Sequence, residues 1–166
     1  MKTLSLAVLL LSTLTTGLIA GFFATYSNNV MPALHRDDDR MFIATMQHIN
    51  KAVLNPWFLM TFTGALLLTI AATALHISGD ARPALPWIIA ATVLYAAMFL
   101  ITMGINVPLN DKLDAAGDPA RIADLAAVRD AFEAKWNAWN HVRTFTSIGA
   151  FACLIWALVI HVRHTI

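Results

Sequence analysis

The chain has 166 residues, 58% of them hydrophobic and only 13% charged, with a formal net charge of +1. Soluble domains carry about 25% charged residues, and one of this length exposes too much of its chain to hide so much apolar surface. A cytosolic enzyme, a disordered segment and, with no basic cluster, a nucleic-acid binder are therefore excluded.

What remains is an all-α integral membrane protein forming one domain over residues 1–166. Four charge-free apolar stretches reach the ~20 residues a helix needs to cross a bilayer. They run from Leu4 to about Val30, Trp57 to Ile77, Leu85 to Val107 and Thr144 to Val162. A charge at bilayer depth costs about 2.5–3.5 kcal/mol on insertion scales, which accounts for its absence from all four. The first stretch begins like a signal peptide, with Lys2 before Leu4–Leu11 and a small residue at Ala20. It continues through Phe22 and Phe23, too long for a signal core, and is read as retained. Gly17 and Gly21 form a small-xxx-small pair that would admit another helix, of this chain or of a second copy, or simply sit in a tolerant membrane helix. Cys153 lies alone in an apolar run, so neither an internal disulfide nor a cysteine metal knuckle is possible. Met60, Met98 and Met103 read as packing.

The first link, Met31–Pro56, opens with Pro32 and the acidic run Asp37–Asp39, which suits a helix N-terminus. Phe42, Met46, Ile49 and Val53 then recur on one face, predicting an amphipathic helix that ends near Asn55-Pro56. The link Ser78–Pro86 is a short turn. The second long link opens with Asn106-Val-Pro108-Leu-Asn110, where the third stretch ends. Asp118-Pro119 predicts a helix start, followed by Leu125, Val128, Phe132, Trp136, Trp139 and Arg143 at helical spacing into the fourth stretch. The expected architecture is a four-helix transmembrane bundle with two amphipathic helical links capping one end. Eight Lys and Arg residues lie on the long-link side and three on the side of the termini. The positive-inside rule would put the long links in the cytoplasm.

Unusual polar residues gather at the capped end. Trp136, Trp139, Asn140 and Arg143 stand at i, i+3, i+4 and i+7, on one helical face. An arginine beside two indoles can hold an anion while the rings stack on a flat ligand. The same pattern also describes an interfacial aromatic belt with a snorkelling arginine. Asn106 and Asn110 can bind a carbonyl or cap a broken helix end. His35, His48 and His141 face the same side and offer a base or a metal ligand, though no local metal motif exists. His76 and His161 end the second and fourth stretches at similar depth, a pairing conceivable for haem. With no charge buried in the spans, a transporter is not indicated.

Three segments together carry a resemblance: Gln47-x-x-Asn50 with Asn55-Pro56-x-Phe58, Asn106-x-Pro108-x-Asn110-x-x-Leu113, and Trp136-x-x-Trp139-Asn140-x-x-Arg143-Thr144. The chain resembles the anthrone oxygenase-like membrane family over roughly Gly17 to Val162. That family is mostly bacterial proteins of unknown function, with fungal members that oxidise anthrones to anthraquinones. The resemblance implies a multi-pass protein of a bacterial inner membrane. It also implies oxidation of a polycyclic ketone by dioxygen with no added flavin or metal. An enolate is electron-rich enough to reduce oxygen itself if the protein supplies a base, oxyanion donors and a flat dry slot. In this reading Arg143, Asn106, Asn110 and Asn140 stabilise the oxyanion, each donor contributing on the order of 3 kcal/mol. His141 or His48 takes the proton, and Trp136 and Trp139 stack on the substrate, with Gln47 and Asn50 as further contacts. Two rivals stand beside it: a non-catalytic membrane module that binds a quinone, lipid or partner helix, and a histidine-ligated metal or haem oxidoreductase.

Overall fold

The computed structural model describes residues 2–165, and these are all-helical. The helices are α1 (Lys2–Thr25), α2 (Met31–Leu34), α3 (Asp39–Val53), α4 (Pro56–Leu75), α5 (Leu85–Ile101), α6 (Val107–Ala115) and α7 (Leu125–Thr165). Four continuous helical stretches are long and apolar enough to cross a membrane: Thr3–Leu34, Pro56–Leu75, Arg82–Ala115 and Leu125–Thr165. In the bundle, α1 and α5 each pack against both α4 and α7.

The bundle is apolar on its outside as well as in its core, and small residues are interspersed among the large ones inside. Its interior holds Ser12, Thr16, Ala65, Thr69, Ala72, Ala91, Ser147 and Ala157, while Leu14, Leu18, Met60, Val93, Leu100 and Phe145 are exposed. Small interior residues let helices approach closely, and an apolar exterior needs lipid around it. This is a multi-pass membrane protein. Gly17 shows the close approach directly, since a Cβ there would lie 2.8 Å from the Phe151 ring of α7. Gly21 faces open space instead.

Two spans run further than their apolar length predicts, and the same device carries both past a proline. Pro32 cannot donate to the carbonyl of Asn28, and its ring clashes there; Pro108 stands in the same relation to Gly104. The chain widens into a π turn centred on each of those residues, Tyr26–Val30 and Thr102–Asn106. The amide just before each proline reaches back five residues, Met31 to Tyr26 and Val107 to Thr102. Thus Asn106-Val-Pro108 does not end its helix. Each wide turn also brings polar side chains against α7.

The cap follows the expected pattern with shifted boundaries. Asp38 caps α3 by accepting from the Met41 amide at 2.9 Å. Phe42, Ile43 and Met46 are fully buried against Leu113, Phe132 and Trp136. Helix α7 does not start at Asp118-Pro119. Gly117, at φ +80°, ends the preceding helix, and the Asp118 carboxylate closes a local turn onto the Ala120 amide. The true cap is Asp124, which accepts from the Ala127 amide at 2.9 Å.

Arg129 holds the cap to the bundle. Its guanidinium donates to Glu133 at 2.6 Å, to Asp39 at 3.0 Å and to the carbonyls of Asp37 and His35, while lying 4.4 Å over the Phe42 ring. His35 Nδ1–H completes the network on Glu133 at 2.8 Å.

Candidate functional site

The site forms where the two π turns meet the middle of α7. Trp136, Asn140, Arg143 and Thr144 share the buried face of α7, as their spacing predicts. Arg143 is only 4% exposed, and its guanidinium lies 4.4 Å over Phe23 and 5.1 Å over Trp136. One nitrogen donates to Asn140 Oδ1 at 2.9 Å. Among the described residues Nε has no hydrogen-bond partner, and no carboxylate lies within ion-pairing distance. A buried cation is ordinarily paired, because desolvating it costs several kcal/mol. The ring faces offset part of that cost.

Around this cation the asparagines have distinct tasks. The Asn140 amide donates to Ser27 Oγ at 2.8 Å and to the Phe23 carbonyl at 3.3 Å, joining α7 to the end of α1. Ser27 also meets Thr144 at 2.9 Å. Asn110 accepts from the Trp136 indole at 2.8 Å, and the Asn106 amide donates to the Trp136 carbonyl at 3.3 Å. Asn106 Oδ1 is buried without a partner among the described residues. The group Asn106 leaves over is thus an acceptor, suited to a hydroxyl rather than to an oxyanion.

The remaining residues proposed from sequence lie further out. Trp136 joins a ring cluster with Phe132 at 6.0 Å and Tyr26 at 5.8 Å, whereas Trp139 is half-buried and outside it. Gln47 donates to the carbonyls of Leu113 and Gly117, both at 2.9 Å. Asn50 donates to Asp114 at 3.3 Å. These two side chains clasp the C-terminal end of α6. His48 is exposed on the outer face of α3. His141 is exposed too, but lines a polar cavity of 340 Å³ with Ser27, Asn140, His35 and Glu133. A second cavity of 550 Å³ is mostly apolar and lies between α1, α3 and α4, bounded by Phe22, Tyr26, Ile49 and Phe58. Arg143 lines neither; the π turn carrying Tyr26 and Ser27 separates the two cavities and stands against it.

Sequence reasoning did not single out Phe23, Tyr26, Ser27 or Arg129. Pro32, a proline inside a helical pattern, was the available sign that the end of α1 has special geometry.

The histidines behave differently at the two ends. His76 and His161 are buried and meet directly, Nε2 to Nδ1 at 2.9 Å. His76 Nδ1 lies 2.7 Å from the Ala72 carbonyl, which only accepts, so His161 Nδ1–H donates to His76 Nε2. The two nitrogens occupy each other; a metal between them, with bonds of about 2.0–2.1 Å each, would hold them further apart. Among the described residues no three His, Cys, Asp or Glu side chains gather as a metal-binding group.

Comparison with curated proteins and with solved structures gives no match. A family model described as anthrone oxygenase matches residues 56–153, from the start of α4 to the middle of α7. The match is narrower than the resemblance over Gly17–Val162 suggested: it takes in Asn106, Asn110, Trp136, Trp139, Asn140 and Arg143, and leaves Gln47 and Asn50 outside. With most of its bundle and its buried arginine inside the matched region, the chain belongs to the anthrone oxygenase family.

Proposed function

We propose that this protein oxidises an anthrone-type polycyclic ketone with dioxygen to the quinone, drawing its electrons from the substrate. The carrying observation is the buried Arg143 guanidinium with a vacant Nε–H and no carboxylate beside it. A cation held dry and uncompensated by protein stabilises negative charge on a ligand far better than one in water. That charge is the oxygen of the deprotonated enol, the species that reduces dioxygen.

In this mechanism the enol proton crosses the π turn by way of the Ser27 hydroxyl to His141, which shares the polar cavity with Ser27, and Arg143 holds the resulting oxyanion. One electron passes to dioxygen. The carbon radical and superoxide then join at the methylene carbon, and His141 returns the proton to the peroxide. Loss of the carbon-bound hydrogen with hydroxide leaves the second carbonyl and one water. One ketone and one dioxygen thus yield one quinone and one water. Asn140 orients the guanidinium, while Asn106 and Asn110 hold Trp136, whose ring covers it. His48 is too far out on α3 to serve as base.

Oxygen uptake tests the reading: membranes containing the protein consume dioxygen when an anthrone is added, and membranes lacking it do so only at the spontaneous rate. Equal rates would leave the binding-module reading in its place. We assign Gln47 and Asn50 to positioning through α6. Gln47→Ala is then expected to cost about 1–2 kcal/mol of stability and to leave KM unchanged, as thermal unfolding and anthrone titration would show.

We place the long links in the cytoplasm of a bacterial inner membrane. Arg129 and Arg143 are buried inside the protein, but Arg36, Arg40, Lys51, Lys112, Arg121 and Lys135 are all exposed on that side.

A further inference from the structure

We propose that the apolar groove between α1, α3 and α4 is the docking site for the ring system of a flat phenolic polycycle, whose oxygen is met by the Tyr26 hydroxyl. The inference rests on the oxidase reading for its substrate class, but stands on separate observations. The groove is an open cleft of 550 Å³, enough for three fused rings, on the lipid-facing side of the bundle beside Leu18 and Trp57. Its rings form a connected surface, with Phe22 at 4.9 Å from Phe58 and 5.0 Å from Tyr26. Flat aromatic ligands stack on such surfaces.

The polar side chains on its wall are mostly satisfied by their own helices. Thr25 donates to the Gly21 carbonyl, Thr61 to the Trp57 carbonyl, and Asn55 caps α4 on the Phe58 amide. Among the described residues the Tyr26 hydroxyl has no hydrogen-bond partner, and its ring lies 5.8 Å from that of Trp136, over which the Arg143 guanidinium sits. A phenol hydroxyl with no partner of its own is free to donate to a ligand oxygen. An acyl chain would fill the same groove but has nothing to offer that hydroxyl. A phenolic polycycle satisfies the rings and the donor together, and it partitions into lipid before it binds.

Gly21 lines the groove, and a Cβ there meets nothing within 4 Å, so the side chain of Gly21→Phe starts from open space at the groove wall. Gly64 is equally open but lies outside the groove, which makes Gly64→Phe the control. The probe is 1,8-dihydroxyanthraquinone, a product-like molecule that needs no turnover, titrated against tryptophan fluorescence in lipid nanodiscs with empty nanodiscs subtracted. Gly21→Phe is expected to weaken binding by at least about tenfold, Tyr26→Phe by about five- to tenfold, and Gly64→Phe to leave it unchanged. Binding insensitive to Gly21→Phe, or weakened equally by Gly64→Phe, overturns the assignment even if anthrone oxidation proceeds. A groove-blocked loss of binding in a protein that never consumes oxygen keeps the docking site and rejects the oxidase. Failure of the wild type to bind the probe, with an acyl chain recovered from it and lost from Gly21→Phe, gives the groove to lipid.

Discussion

Replacing Arg143 by methionine is expected to lower anthrone-dependent oxygen uptake by about 100- to 1,000-fold while leaving the helical fold intact. The magnitude is that of removing one preorganised oxyanion donor from a dry site. Stability should move the other way or not at all. The resting protein carries the desolvation cost of a guanidinium with no carboxylate beside it, and methionine fills similar volume at no such cost. Asn140 Oδ1 loses its donor, which sets a limit on the gain. Arg143→Lys keeps the charge but not the planar contact with Phe23 and Trp136, and should retain more turnover than Arg143→Met. Initial rates on an oxygen electrode, with thermal unfolding of the same nanodisc samples, check both halves. An Arg143→Met protein that oxidises anthrone at the wild-type rate removes Arg143 from the chemistry. One that unfolds at far lower temperature makes the arginine structural.

Arg129 is expected to show the opposite behaviour. Its donors end on two carboxylates and two carbonyls, so it is a compensated cation at the hub of the cap. Arg129→Ala leaves Glu133 with His35 alone and removes the three contacts that tie Asp37, Asp39 and the His35 carbonyl to α7, at a cost of about 1–3 kcal/mol. The loss should be local. Amides of α3 should exchange faster, and trypsin should cut at Arg36 and Arg40, both exposed, while the four long helices keep their protection. Unchanged exchange in α3 would mean that the apolar contacts of Phe42, Ile43 and Met46 hold the cap by themselves. Side by side, the two arginines test one idea: in this protein the satisfied cation stabilises and the unsatisfied one works.

Residue order alone determined that the chain crosses a membrane on four helices, because a hydrocarbon interior tolerates neither charges nor short apolar runs. It also determined the amphipathic face of α3, and the shared face of Trp136, Asn140 and Arg143, since both follow from helical period. Tertiary structure decided the rest. Only packing could reveal that helices continue through Pro32 and Pro108, because the widened turns depend on α7 lying against them. Only packing could separate Gln47 and Asn50, which reach across to α6, from Asn140, which reaches 113 residues back to Ser27. The same holds for the charges. Arg129 and Arg143 are both long-link cations on one helix, and nothing within a few residues of either tells whether distant carboxylates and carbonyls converge on it. Local periodicity fixes which way a side chain points, whereas what it meets there depends on contacts far apart in the chain, which no local pattern contains.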